Sequence, residues 1–213
     1  MFRVAVLSLG LTLVYSSAGM AQPWELGGVV GFGAYRNASA TNATGSAQAG
    51  PATEIAAGIV IGEDRYRHLG GEFRYTFRDG DLRLKSGGQE AAMEGRAHAI
   101  HYDLLIHAAP KGSKLRPFAA VGGGVKVYQG TGKEAAFQPL SSFAFLTKTD
   151  QVEPLISFGG GVKYLVGKHA QLRADFRDYV TPTPNRLFAP APGAKIHGWL
   201  HDFVPLVGVS YVF

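Results

Sequence analysis

The stretch Leu69–Asp79, LGGEFRYTFRD, alternates between apolar and polar side chains over most of its length. Phe73, Tyr75 and Phe77 occupy odd-numbered positions, whereas the even-numbered positions 72 to 78 hold only polar or charged side chains. Successive side chains of a β-strand point to opposite faces of the sheet. The stretch therefore predicts a strand with one apolar face and one charged face.

The same two-residue period recurs along the chain from Trp24 onward. Each recurrence is as long as the roughly nine to eleven residues that a tilted strand needs to cross a bilayer. We predict eight strands, at about 24–36, 53–63, 68–79, 92–108, 116–129, 153–166, 169–180 and 197–213.

The joins between these strands alternate in length. The long joins are rich in Gly, Ser, Thr, Asn and Pro and lie at about 37–52, 80–91, 130–152 and 181–196. The short joins lie at 64–67, 109–115 and 167–168. An antiparallel meander with all long joins on one side is typical of a bacterial outer-membrane barrel, with extracellular loops and periplasmic turns. The fold class predicted is all-β, a transmembrane up-and-down barrel of eight antiparallel strands.

The face opposite the apolar one collects ionisable side chains. Six acids and six bases share it with two histidines, and such charges are tolerable inside a small barrel when they pair with one another. We predict a lumen charge network of Glu25, Glu54, Glu72, Arg74, Arg78, His101, Asp103, His107, Lys126, Lys163, Arg173, Asp175, Arg177 and Asp202.

His101, Asp103 and His107 of this set share one strand, so two interpretations stay open for them. A histidine beside a carboxylate titrates near neutral pH and would respond to protons. The favoured interpretation is a satisfied hydrogen-bond network inside the lumen.

Residues 1–21 have the features of a cleaved secretory signal peptide. Arg3 precedes an apolar stretch, residues 4–14, and small residues at Gly19 and Ala21 suit signal peptidase. The apolar stretch is too short to span a bilayer, which disfavours a retained anchor. Cleavage after Ala21 would leave residues 22–213 as the barrel domain; cleavage after Ala18 is the alternative.

The amino-acid composition excludes several classes of site and disfavours one class of partner. The chain has no cysteine, which removes disulfides, cysteine zinc sites and cysteine nucleophiles. Its 21 Lys and Arg residues against 16 Asp and Glu are scattered along the sequence, so nucleic acid is not a predicted partner.

The last predicted strand ends in GVSYVF, residues 208–213. Gly208 precedes Tyr211 and Phe213, which share the apolar face of the strand. This pattern resembles the terminal signal by which the barrel-assembly machinery recognises its clients. The alternative is a buried last strand that happens to end in Phe.

Three segments together resemble the OmpA-like, or opacity-type, family of eight-stranded outer-membrane β-barrels. They are RPFAAVGGGV at 116–125, LRADFRDY at 172–179 and the aromatic end at Tyr211 and Phe213. The resemblance implies a largely plugged, charged lumen and a role in envelope integrity, adhesion or limited permeation. Because the sequence stops with the eighth strand, we do not expect the peptidoglycan-binding domain of the longer relatives.

The sequence GGGVK occurs twice, at 122–126 and 159–163. A phosphate-binding loop requires Lys directly after the last Gly and a hydroxyl residue next, and neither copy fits. We predict strands five and six here, with Lys126 and Lys163 at opposite heights of the lumen and each paired with its own acid. Inward-facing glycines such as Gly124 and Gly161 would leave space for long basic side chains.

The seven histidines accompany no catalytic or metal-binding motif. The most suggestive group is His197, His201 and Asp202, but Asp202 points to the strand face opposite the histidines. A metal site or catalytic triad is therefore disfavoured, and no catalytic, cofactor-binding or metal-binding residue is predicted.

The predicted function is that of a non-enzymatic outer-membrane protein that serves envelope structure or surface interaction through its loops. A small low-conductance pore and a lipid-modifying enzyme are the alternatives. The expected partners are outer-membrane lipids including lipopolysaccharide, the barrel-assembly machinery and an extracellular ligand at the loops.

Overall fold

A computed structural model describes residues 24–213, so the predicted signal peptide lies outside the described residues. Over this range the regular structure consists of β-strands. The strands are, in chain order, β1 Trp24–Arg36, β2 Ala38–Asn42, β3 Gly45–Pro51, β4 Glu54–Glu63, β5 Leu69–Asp79, β6 Leu82–Ser86, β7 Gln89–Met93, β8 Gly95–His107, β9 Leu115–Gly130, β10 Ala144–Leu146, β11 Asp150–Leu165, β12 Ala170–Pro182, β13 Phe188–Pro190, β14 Lys195–His197 and β15 Trp199–Val212. Between residues 24 and 213 there is no helix of the length and hydrophobicity that crossing a membrane requires.

Eight of these strands close a barrel in the order β1-β15-β12-β11-β9-β8-β5-β4. Each barrel strand pairs antiparallel with the next barrel strand in the sequence, and β1 pairs with β15 to close the ring. The predicted eight-stranded antiparallel barrel is confirmed.

The predicted strand ends differ most from those in the structure where a neighbouring hairpin continues the two-residue period. Residues 92 and 93 belong to β7 rather than to β8, and His197 belongs to β14 rather than to β15. Both β7 and β14 pair within a separate sheet. Alternation alone does not show where one strand ends and the next begins, because the two-residue period continues across the boundary.

The two faces of the barrel wall differ in polarity as the strand period predicts. Large apolar side chains face outward and are exposed, among them Val30, Phe73, Ile100, Phe158 and Val207. Charged side chains on the alternate positions are buried inside the barrel. This arrangement is apolar toward lipid and polar within, as in outer-membrane barrels.

The four long joins, expected to be loops, are folded into a second layer of structure at one end of the barrel, which we call the cap. Strands β14, β2, β3, β6 and β7 form a five-stranded sheet, and β10 pairs with β13. The expectation of loops rested on the Gly, Ser, Thr, Asn and Pro content of the joins. Alanines interspersed among these residues pack in the sheet, since Ala38, Ala40, Ala47 and Ala49 are buried.

The cap has its own apolar core, distinct from the charged interior of the barrel. Leu82, Leu84 and Met93 from one long join pack with Leu146 and Phe188 from two others, and all five are buried. Tyr128 and Leu200, near the ends of two barrel strands, join the same cluster. The cap is therefore packed onto the mouth of the barrel. We call the opposite end, which carries the short joins, the turn end.

Candidate functional site: the barrel lumen

The central level of the lumen holds a cluster of fully buried acids and bases from three strands. Arg74 of β5 contacts Glu72 at 2.6 Å and Asp175 of β12 at 2.5 Å. Arg173 of β12 contacts the same two carboxylates at 2.7 and 2.8 Å. Arg177 joins Glu72 at 3.4 Å and brings in Asp103 of β8 at 3.1 Å. Each charge in the cluster thus has at least one opposite partner.

The turn-end level is built around Glu25 at the start of β1. Lys163 of β11 donates to Glu25 at 2.5 Å, and Arg173 donates to its other oxygen at 2.9 Å. Arg173 therefore connects this level to the central cluster.

The cap-end level is built around Asp202 of β15. Lys126 of β9 contacts its Oδ2 at 2.6 Å, and Arg78 of β5 pairs with its Oδ1. Lys126 also donates to the hydroxyl of Tyr35 at 2.9 Å, and the Arg78 guanidinium lies 4.6 Å from the centre of the Tyr35 ring. Tyr128 closes this level from above with a 2.8 Å hydrogen bond to Thr181.

These contacts leave little room inside the barrel. A cavity of only about 10 Å³ lies where the lumen meets the cap, lined in part by Tyr35, Arg78 and Tyr128. That volume suits about one water molecule. The interior is thus a packed network of ion pairs, as the width of an eight-stranded barrel favours.

Comparison with solved structures places this geometry among known barrels. Neither the protein-family models nor the curated proteins provide a match. The N-terminal β-barrel domain of Pseudomonas aeruginosa OprF superposes with a TM-score of 0.50 at 13% identity, covering 90% of this chain and 98% of that one. Neisserial surface protein A superposes with a TM-score of 0.50 at 15% identity, covering 92% and 100%. The chain has the outer-membrane β-barrel fold.

A third structure agrees with this assignment. The outer-membrane protein AlkL, determined in lipid bilayers, superposes with a TM-score of 0.50 at 16% identity, covering 92% of this chain and 93% of that one. The resemblance predicted from the sequence is thereby confirmed for the fold. Identities this low carry no information on what the barrel binds.

The two lysines of the GGGVK repeats occupy different levels of this barrel. Lys126 pairs with Asp202 near the cap, whereas Lys163 pairs with Glu25 near the turn end. The separation arises because β9 and β11 are antiparallel neighbours, so the same local sequence runs in opposite directions. Neither lysine forms part of a phosphate cradle.

The inward-facing glycines of the repeats are required mainly by the neighbouring backbone. A Cβ added at Gly124 would collide with the carbonyl oxygen of Ile100 and lie 2.6 Å from the Cα of His101, both on the adjacent strand. At Gly161 it would strike the Ala174 carbonyl oxygen and lie 2.8 Å from Asp175 Oδ1. Space for charged side chains, the predicted reason, contributes at Gly161, but close strand approach is the larger constraint.

The histidines predicted on β8 lie in different surroundings. His101 places Nδ1 3.0 Å from Asp103 and Nε2 3.2 Å from the hydroxyl of Tyr179. His107 lies toward the turn end, where its ring is tilted against that of Phe118 with the ring centres 5.8 Å apart, and within residues 24–213 neither ring nitrogen has a hydrogen-bond partner. The structure therefore does not bring His107 to Asp103.

Glu54 lies at the rim, apart from the rest of the predicted set. It is only half-buried where β4 begins, and within the described chain it forms none of the lumen ion pairs. Arg116, absent from that set, is buried and pairs with Asp64 of a short turn. Arg116 and Lys126 are both even-numbered residues of β9 and therefore share its inward face. Strand parity would have identified Arg116 as a member of the lumen set.

The group of His197, His201 and Asp202 is dispersed. His197 lies in the cap sheet on β14, and Asp202 points into the lumen. His201 instead contacts Asp178 of β12 at 2.9 Å, a pairing that sequence reasoning missed. Over residues 24–213 no three His, Asp or Glu side chains are grouped in a way that would hold a metal ion.

Proposed function

We propose that the chain is an outer-membrane protein without enzymatic activity that serves the cell surface through its cap, as a structural or surface-interaction protein. The observation that carries this proposal is the contrast between the lumen and the cap. The lumen is filled with mutually paired charges, whereas the long joins are built into a packed platform with its own apolar core.

A packed cap favours surface interaction because it presents side chains in fixed positions. A preordered surface loses less conformational entropy on binding than a flexible loop does. Phe137 lies on the segment between β9 and β10, outside the cap strands, and is a large apolar side chain that is 82% exposed. Aromatic side chains are enriched among the residues that dominate binding energy.

The outer-membrane location is part of the proposal. It is supported by the exposed apolar belt and by the likeness to outer-membrane barrels. Tyr211 and Phe213 pack edge to face with ring centres 5.0 Å apart and are exposed at the outside of the last strand. There, with Gly208 on the same strand, they would be accessible to the barrel-assembly machinery. Lipids of that membrane, including lipopolysaccharide, are the proposed surroundings.

Attachment of cells to coated surfaces tests the proposed role of the cap. Cells displaying the wild-type chain should adhere to laminin, collagen or heparin coatings above the level of cells without it, and Phe137→Ser should reduce the excess. Phe145→Ser, at another exposed aromatic of the same join, is the matched control. Equal adhesion of cells with and without the chain on all three coatings would contradict the adhesive form of the proposal.

Single-channel recording separates this function from a low-conductance pore. Because the described lumen charges are paired and the cap covers the mouth, protein refolded into planar bilayers should show no steady open level. A steady conductance that changes when Arg74 or Lys126 is replaced by a neutral residue would favour the pore instead.

A further inference from the structure

The turn end of the barrel carries an excess of exposed basic side chains. Its three joins are residues 64–68, 108–114 and 166–169, which we call the basic turns. The Lys and Arg side chains of these turns are all exposed, and they are Arg65, Arg67, Lys111, Lys114 and Lys168. Within residues 24–213 none of them takes part in an ion pair.

Few acids balance this charge. Asp64 is the one acid in the sequence of the three turns, and it pairs with the buried Arg116. Glu63, the last residue of β4, borders the first turn and is half-buried. In the cap, by contrast, acids lie among the bases, as where Lys85 contacts Glu90 at 3.2 Å. The turn end therefore presents a positively charged surface.

Hydrogen bonds fix the basic turns in place. The Lys111 amide donates to the Arg67 carbonyl at 2.8 Å, and the Lys111 ammonium donates to the Asp64 carbonyl at 3.2 Å, so the first two turns are joined. The Leu165 amide donates to the Lys114 carbonyl at 2.8 Å, which connects the second turn to the end of β11. The backbone positions of these bases are consequently set by the end of the barrel.

The bases lie at the level where a bilayer has its headgroups. Leu115 and Tyr164 are outward-facing register partners beside the turns, and both are exposed. Lys114 places Nζ 5.3 Å from the centre of the Tyr164 ring. Tyr66 and Trp24 are further exposed aromatic side chains at this end. Aromatic side chains of a barrel mark the membrane interface, so the adjacent bases are within reach of lipid phosphates.

We propose that the basic turns bind the phosphate groups of phospholipids with net negative charge, such as phosphatidylglycerol, in the leaflet at the turn end. The phosphate of phosphatidylcholine is neutralised by its own choline, whereas that of phosphatidylglycerol is not. Each base near an anionic membrane surface favours binding by a factor of about five. The inference rests on the proposed membrane location but does not depend on the proposed role of the cap.

The two tryptophans of the chain provide a reporter at each end of the barrel. Trp24 begins β1 at the turn end, in register with Glu63, and Trp199 begins β15 at the cap end. The single-tryptophan variants Trp199→Phe and Trp24→Phe are refolded into bilayers of phosphatidylcholine and phosphatidylglycerol. One of the two lipids is brominated on its acyl chains and quenches tryptophan fluorescence. Exchanging the brominated lipid gives the relative association constant of the two lipids at each tryptophan.

The expected result differs between the two ends. At low ionic strength Trp24 should report a preference for phosphatidylglycerol of about fivefold, and Trp199 should report a ratio of about one. Raising the ionic strength from about 0.01 M to about 1 M should bring the Trp24 ratio to about one, because the screening length falls from about 30 Å to about 3 Å.

A charge-removing variant locates the preference. In the Trp199→Phe background, the triple substitution Arg65→Gln, Arg67→Gln and Lys111→Gln should lower the Trp24 ratio at least about twofold. These side chains are exposed in turns, so the variant should fold, which gel mobility without heating checks. The salt dependence tests the same charges without any substitution of a base.

The matched control removes three exposed bases of the cap that also lack ion pairs within residues 24–213, by Lys148→Gln, Arg186→Gln and Lys195→Gln. It should leave the Trp24 ratio unchanged.

Several outcomes would overturn the proposal. They are equal quenching of Trp24 by the two brominated lipids at low salt, a preference that persists at high salt, an equal loss in the cap control, and a preference at Trp199 as strong as that at Trp24. If neither lipid quenches either tryptophan, the membrane location itself is contradicted, and the proposal with it.

Discussion

At the residue scale, Glu72 is the acid with the most basic partners in the lumen. Its two oxygens accept hydrogen bonds from Arg74, Arg173 and Arg177, and all four side chains are fully buried. Buried charges of this kind are stable only as a complete set, since the loss of one partner leaves the others uncompensated.

Replacing Glu72 with Gln should therefore destabilise the barrel by about 3–5 kcal/mol, because three guanidinium groups would lose their shared carboxylate while the shape of the side chain is kept. Urea unfolding of the refolded protein in micelles measures the change. Glu90→Gln is the control: Glu90 pairs with Arg83 and Lys85 on the exposed surface of the cap. Such a pair is worth about 0–1 kcal/mol. Equal effects of the two substitutions would contradict this account of the lumen.

Gly124 and Gly123 are adjacent residues with opposite tolerance for a side chain. A Cβ at Gly124 meets the backbone of Ile100 and His101, whereas a Cβ at the outward-facing Gly123 has the Leu155 carbonyl oxygen at 3.3 Å as its nearest neighbour. Gly124→Ala should therefore impair folding and Gly123→Ala should not, as measured by the folded fraction in unheated gel samples. If Gly124→Ala folds as well as Gly123→Ala, the inward register assigned to Gly124 is wrong.

At the scale of the elements, strand parity was readable from the sequence but strand partnership in the cap was not. The alternation around Phe73 and Val207 depends on local geometry, since every second side chain shares a face. The pairing of β2 with β14 joins residues such as Ala40 and Ile196 from the first and last long joins. Nothing in the local pattern of either join specifies that contact.

The apolar core of the cap gives a prediction for the ribbon of β10 and β13. Phe188 is fully buried in that core, and Phe145 on the paired strand is 40% exposed. Phe188→Ala should lower the stability of the cap by about 3–5 kcal/mol, the cost of removing a buried aromatic side chain. Phe145→Ala should have a much smaller effect.

Limited digestion with trypsin distinguishes the two variants. Cleavage after Arg83 or Lys85 in the cap should be accelerated in Phe188→Ala alone, while the barrel strands stay protected by their closed hydrogen-bond ladder. Unchanged cleavage in Phe188→Ala would show that the cap does not depend on this core.

At the scale of the whole molecule, closure of the barrel predicts a kinetically stable protein. Every barrel strand has two neighbours, so no edge is open from which unfolding could begin. Unheated samples in detergent gels should consequently migrate differently from heated ones. Identical migration, together with release of the protein from cells by osmotic shock, would contradict the membrane-barrel assignment.

The sequence by itself determined the eight strands, their inward and outward faces and the charged character of the lumen. Each of these follows from a period of two that local backbone geometry imposes. Only the tertiary structure decided which charges pair, because partners such as Glu25 and Lys163 lie 138 residues apart and meet through the register of the closed sheet. The same holds for Asp178 and His201, whose contact depends on the alignment of β12 with β15. The strand pairing and the core of the cap also depend on the tertiary structure. The core is assembled from joins that are far apart in the chain and become adjacent only once the barrel has closed.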